Sequence, residues 1–284
     1  MAHRSFDRAT VLVTGAGGGL GRATALAFAA AGARIAALDK DIAGLESLRA
    51  ELEARGAEAL VIPCDITDAA ACEHAVAATV QRFGTLDVLV NNAGISHRSG
   101  FASTALDVIR RVMEVNFFGA VNCTKAALPH LAASRGLIVA ISSVAGYTPL
   151  IARTGYSASK HAVHGFFESL RTELAPQGVH VMIACPSFVA TRIDRNALGG
   201  DGQPVRHAQV TVGRPLTAEA AAAELVAGAA AGKGLLLIGR TARQAWHLSR
   251  IAPALYERIM ARRLRAELES EQGPAHQKPD RERS

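Results

Sequence analysis

A tyrosine and a lysine four residues apart form the pair in this sequence with the clearest chemical potential. Tyr156 and Lys160 occur in the segment TGYSASKHAV, and their spacing places both side chains on one face of a helix. The pKa of an unperturbed tyrosine is about 10, so the phenol is a poor acid or base at neutral pH. A neighbouring ammonium group favours the phenolate and lowers that pKa. The pair predicts a proton-transfer group or, as is commoner for such a pair in isolation, a surface tyrosine beside a solvated lysine.

A glycine-rich segment, VTGAGGGLGRA, ends the first predicted strand and begins a predicted helix. Its glycines are Gly15, Gly17, Gly18, Gly19 and Gly21. A turn of this kind lets a pyrophosphate approach the backbone at the helix N-terminus. The spacing differs from the GxGxxG fingerprint, so the prediction of a nucleotide site depends on the strand before the turn and the helix after it.

The second predicted strand, RIAALD, ends at Asp39. A carboxylate at this position accepts hydrogen bonds from a ribose diol and repels a 2′-phosphate. Gly17 and Gly18 offer no side chain that would hold such a phosphate. These features favour NAD as the cofactor, and Lys40, directly after Asp39, keeps NADP as an alternative.

Polar residues also follow two other predicted strands. Asp65, in PCDITD, is placed either to reach an adenine amino group or to cap the next helix, and the sequence leaves both roles open. Asn91 and Asn92, in VNNAGI, are costly in a buried sheet unless they pair with the backbone. We therefore expect both asparagines to brace the strands at the cofactor edge.

Short apolar segments alternate with longer amphipathic segments along most of the chain. The strand-like segments are ATVLVTG, RIAALD, EALVIPCD, LDVLVNNAG, GLIVAISS, VHVMIACPS and GLLLIG. Their continuous apolar character is typical of strands that are covered on both faces. The alternation predicts an α/β protein with a doubly wound parallel sheet. In such a sheet ligands bind beyond the carboxyl ends of the strands, where the candidate residues fall.

The composition is that of a globular protein, with 49% hydrophobic and 20% charged residues in a chain of 284. The four cysteines are widely spaced, which favours buried thiols in a reducing cytoplasm over disulfides or a metal site. No apolar segment has the length of a membrane span, and the sequence predicts no metal site. The net charge of +6 arises from residues 240–265, which hold seven arginines and one glutamate. Because the rest of the chain is balanced, nucleic-acid binding is not expected.

Taken together, the motifs resemble those of the short-chain dehydrogenase/reductase family. In chain order they are TGAGGGLG, Asp65, NNAG, Asn116 in MEVNFFG, Ser143 in ISSVAG, and YSASK. Alone, Ser143 would be a backbone-capping hydroxyl at the end of the fifth strand, and Asn116 a local helix distortion. Their combination in the family's order, from Thr10 to Gly239, is specific. The resemblance implies a Rossmann-type three-layer fold with a seven-stranded, mainly parallel sheet.

The resemblance also implies a role for each catalytic candidate. Tyr156 would be the general acid and base, and Lys160 would lower the pKa of that tyrosine and bind the nicotinamide ribose. Ser143 would hydrogen-bond the reacting oxygen, and Asn116 would anchor a water that relays protons from Lys160. Hydride transfer would belong to the cofactor. The implied assembly is a homodimer or homotetramer, formed through the helices that carry Asn116 and YSASK.

By the same resemblance, the cofactor would contact residues at several strand ends. They are Gly15, Gly18, Gly19, Leu20, Gly21, Asp39, Asp65, Ile66, Asn92, Ala93, Gly94, Tyr156, Lys160, Pro186, Val189 and Thr191. The segment CPSFVATRI departs from the family pattern, because Ser187 stands where a glycine is common. Serine tolerates fewer backbone conformations than glycine, so the conformation of this turn stays open.

We predict a catalytic domain over residues 1–240 with a substrate loop at 192–217, a helical extension at 241–270 and a disordered tail at 271–284. In the extension, an apolar stripe at helical spacing consists of Leu248, Ile251, Leu255 and Ile259. Pro253 should kink or split this helix. The stripe favours packing against the domain or a sister subunit. Peripheral contact with an anionic membrane is the less favoured alternative.

The sequence therefore predicts an NAD-dependent oxidoreductase acting on a secondary alcohol or its ketone. An NADPH-dependent carbonyl reductase is an alternative in the same fold. A non-catalytic, dinucleotide-binding regulator is a further alternative, although such a protein has no use for a tuned tyrosine. The residues that would line the substrate site mix apolar and basic groups, so the identity of the substrate stays open.

Overall fold

Seven parallel strands form one sheet in the computed structural model, which describes residues 3–191, 193, 196–205 and 213–271, without the side chains of 264 and 266–271. The strands are β1 Thr10–Thr14, β2 Arg34–Asp39, β3 Ala59–Pro63, β4 Val88–Asn91, β5 Leu137–Ile141, β6 His180–Pro186 and β7 Leu235–Ile238. Their spatial order is β3-β2-β1-β4-β5-β6-β7, and each neighbouring pair is parallel. The chain winds outward from β1 to β3 and then returns to β4, which confirms the doubly wound Rossmann-type fold. The switch point, where ligands bind in such sheets, lies between β1 and β4.

Helices cover both faces of the sheet. They are α1 Gly19–Ala30, α2 Ile42–Ala54, α3 Ala69–Phe83, α4 Leu106–Met113, α5 Gly119–Ser134, α6 Thr154–Leu174, α7 Ala218–Ala230, α8 Arg240–Ile251 and α9 Pro253–Glu271. Alternate residues of a strand point to opposite faces, so Val11 packs with residues of α1, α2 and α7. Leu12 packs on the other face with residues of α3, α5 and α6. The two hydrophobic cores explain why the strands are apolar without alternation.

Side-chain caps fix the start of two helices that leave the cofactor edge of the sheet. The carboxylate of Asp41 accepts a hydrogen bond from the Gly44 amide at the start of α2. The carboxylate of Asp68 accepts from the amides of Ala70 and Ala71 at the start of α3. Helix capping is one of the two roles that the sequence leaves open for Asp65. In the structure the residue that caps α3 is Asp68.

The helical region from Leu106 to Ser134 contains a π-helical turn, Glu114–Phe118, between α4 and α5. Asn116 lies in this turn and is buried. Such turns are rare and are frequent at functional sites. A local helix distortion is one interpretation of Asn116 in the sequence, and this π-helical turn is such a distortion.

The C-terminal segment folds into two helices rather than one. The helix α8 ends at Ile251 and α9 begins at Pro253, so the predicted break at this proline is present. None of the helices in the described part of the chain is both long enough and apolar enough to cross a membrane. Much of the predicted substrate loop (192, 194, 195 and 206–212) lies outside the described residues, as does the predicted disordered tail beyond Glu271.

Candidate active site

A cavity of about 1500 Å³ opens at the carboxyl ends of the strands. Its lining includes the glycine-rich turn with the ends of β2 to β4, the end of α4, the segment around Ser143 with α6, the segment after β6, and the helices α8 and α9. Among the predicted catalytic residues, Ser143, Tyr156 and Lys160 line this cavity together. The fourth, Asn116, lies behind its wall.

Tyr156 and Lys160 lie one turn apart on α6, as their spacing predicts. The Lys160 Nζ atom is 5.7 Å from the centroid of the Tyr156 ring and donates a hydrogen bond to the carbonyl oxygen of Ile141 over 2.9 Å. Lys160 is only 4% exposed. Burial disfavours the ammonium form and lowers the pKa of Lys160 to about 8, an effect that the nearby Cys185 partly opposes. The structure thus holds a buried amine against the face of a half-buried tyrosine.

Ser143 faces the same cavity from the loop after β5. The strand ends at Ile141 rather than at Ser143, and a short 3₁₀ helix, Val144–Gly146, follows. The Ser143 hydroxyl accepts a hydrogen bond from the amide of Ala145 over 3.2 Å, so it also has the capping role that a serine at a strand end suggests. Because its oxygen accepts this bond, the hydroxyl proton points elsewhere and is available to a ligand atom.

The Asn116 side chain fixes the backbone next to the NNAG segment. Its Oδ1 atom accepts from the Ile95 amide, and its Nδ2 atom donates to the Ile95 carbonyl and to the Ser159 hydroxyl, all within 2.9 Å. A Cβ atom at Gly94 would lie 3.1 Å from Asn116 Oδ1 and 3.7 Å from Lys160 Nζ. Asn116 is therefore close to Lys160, and its side-chain amide fixes the backbone of Ile95, four residues after the end of β4.

The glycine-rich turn packs too closely for side chains at two positions. Gly15 has a φ of 67°, and a Cβ atom there would lie 2.7 Å from the Cα of Ala93. At Gly21 a Cβ atom would lie 2.0 Å from the carbonyl oxygen of Gly15. Gly18, by contrast, has no atom within 4 Å of such a position and faces the cavity. The turn thus presents open backbone at the N-terminus of α1, as a pyrophosphate site requires.

Two carboxylates and one lysine lie beside this turn. The Oδ2 atom of Asp39 accepts from the Gly17 amide over 2.8 Å, which fixes the carboxylate at the end of β2. Lys40 donates to Asp65 Oδ2 over 2.8 Å. This bond, together with bonds from Thr67, holds the pKa of Asp65 below its usual value, although partial burial opposes the shift. Lys40 thus forms an ion pair with the carboxylate of Asp65.

The two asparagines at the end of β4 differ in their partners: Asn92 pairs with the backbone, as expected, whereas Asn91 pairs with a side chain. Asn91 donates to the hydroxyl of Thr124 over 2.8 Å, and Asn92 donates to the carbonyl oxygens of Thr14 and Gly15. These bonds join β4 to α5 and to the glycine-rich turn. The other residues predicted for the cofactor from this region also line the cavity: Leu20, Ile66, Asn92, Ala93 and Gly94.

The segment after β6 continues the wall of the cavity with Pro186, Ser187, Val189 and Thr191. Ser187 donates its amide to the Ile238 carbonyl, and its φ is not positive, so serine replaces the common glycine here without backbone strain. A Cβ atom at Gly19 would lie 3.1 Å from the Cβ of Thr191. The segment after β6 therefore packs over the glycine-rich turn at Thr191.

Comparison with known proteins agrees with this geometry. Residues 9–200 match the family model described as short chain dehydrogenase. The chain belongs to the short-chain dehydrogenase/reductase family. It is 38% identical over 268 residues to dehydrogenase/reductase SDR family member 7B of Mus musculus, covering 92% of this chain and 83% of that protein. It is 37% identical over 267 residues to the SDR family protein 7-like of Anopheles gambiae, covering 92% and 84%.

A solved structure supports the same assignment. It is a short-chain dehydrogenase/reductase from Burkholderia phymatum in complex with NAD, with a TM-score of 0.79 and 26% identity over 89% of this chain and 96% of that one. The present chain is accordingly a short-chain dehydrogenase/reductase, an oxidoreductase of CH–OH and C=O groups that uses a nicotinamide cofactor. The open backbone at Gly18, the fixed carboxylate of Asp39 and the buried Lys160 fit such a cofactor.

The helices α8 and α9 lie beyond residues 9–200, which the family model matches, and they contribute a wall that the sequence did not predict. Tyr147 donates its hydroxyl to the Ala242 carbonyl over 2.8 Å, and Tyr256 donates to the Thr148 hydroxyl over 3.0 Å. Tyr256 and Met260 are buried, and they form a third hydrophobic cluster with Val144 next to Ser143. The i, i+4 spacing of this buried pair is the signal by which sequence analysis could have found the cluster.

The predicted apolar stripe divides between this wall and the surface. Leu248 and Ile259 are partly buried and line the cavity. Ile251 is 81% exposed at the edge of the cavity, and Leu255 is 50% exposed. The expected packing against the domain therefore applies to half of the stripe. The buried stripe is displaced by one residue, to Tyr256 and Met260.

Proposed function

We propose that this short-chain dehydrogenase/reductase interconverts a secondary alcohol and its ketone with NAD, and that Tyr156 exchanges the proton. The observation that carries the proposal is the position of Lys160, buried against the Tyr156 ring on a cavity that Ser143 also faces. A buried amine beside a phenol is costly for folding, and it is useful where the charged phenolate must form.

The proposed proton transfer follows from the chemistry of these side chains. In reduction, the Tyr156 hydroxyl donates its proton to the carbonyl oxygen as negative charge develops there, and Ser143 donates a hydrogen bond to the same oxygen. In oxidation, the phenolate of Tyr156 accepts the hydroxyl proton. The ammonium group of Lys160 stabilises the phenolate in both directions. When bound, the nicotinamide cofactor supplies or accepts the hydride at the substrate carbon.

Asp39 and Lys40 support NAD over NADP in this proposal. The carboxylate of Asp39 is fixed by the Gly17 amide beside the turn, where it would accept hydrogen bonds from the adenosine ribose and repel a 2′-phosphate. Lys40, the residue that kept NADP as an alternative, donates to Asp65. A 2′-phosphate would therefore meet the carboxylate of Asp39, and Lys40 would have to leave Asp65 to bind it.

The substrate we propose carries a bulky apolar substituent. The wall formed by α8 and α9 presents Leu248, Ile259 and Met260 to the cavity, beside polar and basic side chains that include His247 and Arg263. Burial of an apolar group against this wall contributes about 25 cal/mol per Å². A small polar alcohol would leave the wall hydrated, so we expect the turnover efficiency to rise with the apolar size of the ketone.

The proposed assembly is a homodimer or homotetramer, as is usual for the family. The helices α5 and α6 provide the expected interface. Phe118, at the start of this region, is 45% exposed, and an interface would remove it from water. A reducing cytoplasm is the proposed location, because the cysteines Cys64, Cys72, Cys123 and Cys185 are buried, free thiols.

Replacement of Tyr156 by Phe tests the proposal. We expect at least a thousandfold loss of turnover for apolar ketones with NADH, while calorimetric binding of NADH changes less than threefold. Tyr147→Phe is the matched control, because it removes a phenol hydroxyl near the site that bonds to the protein backbone, and we expect it to retain activity. Retained activity of Tyr156→Phe would rule out the mechanism. Failure of the wild-type protein to bind either NADH or NADPH would rule out the oxidoreductase itself.

A further inference from the structure

We propose that the corner between α8 and α9 docks on an anionic lipid bilayer and that the cavity opens beside this contact. The docking face is defined by Ile251, Leu255, Arg258 and Arg262. It is an interaction surface separate from the proton-transfer residues, and it does not depend on which alcohol the enzyme oxidises.

The apolar part of the docking face is exposed because of how α9 packs. Tyr256 and Met260 are buried against Thr148 and Val144, and this fixes the rotation of the helix. Leu255, one residue before Tyr256, is then turned toward solvent and is 50% exposed. Ile251 lies at the end of α8 and is 81% exposed. Two large aliphatic side chains thus project from adjacent helix ends, where insertion among lipid headgroups would remove them from water.

The charged part of the docking face lies on the same side of α9. Arg258 and Arg262 are three and seven residues after Leu255, which places them beside it on the helix surface, and both are exposed. Glu257 is two residues after Leu255 and therefore points to another side. Over residues 240–265 the chain has seven arginines and this one glutamate. A basic face around exposed aliphatic side chains complements a surface of anionic headgroups.

The same charge argues against a second copy of the chain as the occupant. Two-fold self-association through this face would bring Arg258 and Arg262 against the same residues of the other copy. Like charges in direct opposition are unfavourable. An anionic bilayer presents the opposite charge over a continuous plane, and it accepts Ile251 and Leu255 without a shaped pocket.

The cavity ends at the docking face. Ile251 contributes both to the cavity lining and to the exposed corner, and Ile259 and Arg263 line the cavity from α9. A protein that lies on a bilayer through Ile251 and Leu255 therefore presents this end of its cavity, lined by Ile251 and Ile259 together with Arg263, to the lipid. An apolar ligand dissolved in the bilayer would reach the cavity without crossing water.

Co-sedimentation of the full chain with large vesicles tests the proposal, with phosphatidylcholine alone compared with phosphatidylcholine containing phosphatidylserine. At low salt we expect at least tenfold stronger partition to the vesicles that contain phosphatidylserine, and a steep decrease when salt is added. The Arg258→Ser/Arg262→Ser variant should lose about thirtyfold in partition. The Ile251→Ser/Leu255→Ser variant should lose binding at high and low salt alike.

Control variants elsewhere on the surface distinguish docking through this face from a general effect of net charge or of exposed apolar side chains. Arg49→Ser/Arg55→Ser makes the same change of net charge on α2 and its C-terminal cap residue, and Leu106→Ser removes an aliphatic side chain that is 59% exposed on α4. Both controls should bind vesicles as the wild type does. The proposal is overturned if the wild type stays in the supernatant or if the controls lose as much binding as the docking-face variants. A change of molar mass in light scattering with the Ile251→Ser/Leu255→Ser variant would also overturn it, because a second copy would then be the occupant.

Discussion

The Sγ atom of Cys185 lies 3.3 Å from Nε2 of His164, in a buried contact directly behind Lys160. His164 follows Lys160 by one turn of α6, and its Nδ1 atom is 3.6 Å from Glu168 Oε1. Burial raises the pKa of the Cys185 thiol to about 12, although the Ser142 hydroxyl, the charge of Lys160 and the Ser143 amide oppose the shift. The thiol therefore stays protonated, and it donates to Nε2 when the proton of the neutral imidazole is on Nδ1, which faces Glu168. In this arrangement Nε2 of His164 carries no proton.

Acidification should destabilise the protein through His164. Burial lowers its pKa, against the raising effect of Glu168, while His161 and Arg250 from α8 lower it further. The unfolded chain, with a histidine pKa of about 6.5, takes up the proton before the folded chain does. The free energy of unfolding should thus decrease as the pH falls below about 6.5. Urea unfolding of the wild type and of His164→Gln, measured across this range, should show a shallower pH dependence in the variant. Parallel curves would contradict the prediction.

Replacement of Lys160 by Met should stabilise the fold and abolish turnover. A pKa lowered from 10.5 to about 8 corresponds to a cost of about 3 kcal/mol for the buried charge at neutral pH. Between the two values the unfolded state binds more protons than the folded state, so the stability of the wild type rises with pH. The advantage of Lys160→Met should therefore be full below pH 8 and vanish above about pH 10.5. Denaturant unfolding across this range measures the difference directly, and a destabilised variant at neutral pH would refute the assignment.

The cofactor preference should depend on Asp39 more than on Lys40. Asp39→Ser removes the carboxylate beside the Gly17 amide and should raise the affinity for NADPH relative to NADH by at least tenfold. Lys40→Gln should change the affinity for either cofactor by less than threefold, because Lys40 pairs with Asp65. Calorimetric titration with both cofactors tests the pair of variants. A larger loss of NADPH affinity in Lys40→Gln would assign the 2′-phosphate to that lysine.

The sequence predicted the sheet and the residues on its carboxyl edge because both depend on local patterns. Continuous apolar strands predict burial on two faces, and a parallel sheet then collects the strand ends at one edge. The strand pattern thus places Asp39 at that edge, whereas the positions of Ser143 and Tyr156 on the same cavity follow from the family resemblance. The ion pair between Lys40 and Asp65 could not be predicted from the sequence, because two residues 25 positions apart meet only through the register of β2 and β3.

The C-terminal helices show where the sequence pattern is insufficient. The stripe through Ile251 and Leu255 and the stripe through Tyr256 and Met260 both have helical spacing. The buried stripe is the one that contacts the loop at Tyr147 and Thr148, because Tyr256 donates a hydrogen bond to the Thr148 hydroxyl and Tyr147 donates to the Ala242 carbonyl of α8. Hydrophobicity alone favours burial of the aliphatic stripe through Ile251 and Leu255, whereas the tertiary contacts bury the stripe through Tyr256 and Met260.

The wall provided by α8 and α9 should determine substrate size. Ile259→Ala removes an aliphatic group that lines the cavity from α9. Each buried methylene contributes about 0.8 kcal/mol. We therefore expect KM for bulky apolar ketones to rise about tenfold or more, with kcat nearly unchanged, because the lost contact is made equally in the ground state and the transition state. For small ketones, which do not reach the wall, neither constant should change. Leu106→Ala, an exposed aliphatic residue outside the cavity, is the control. Equal effects on small and bulky ketones would show that α9 acts on the catalytic residues and not on substrate size.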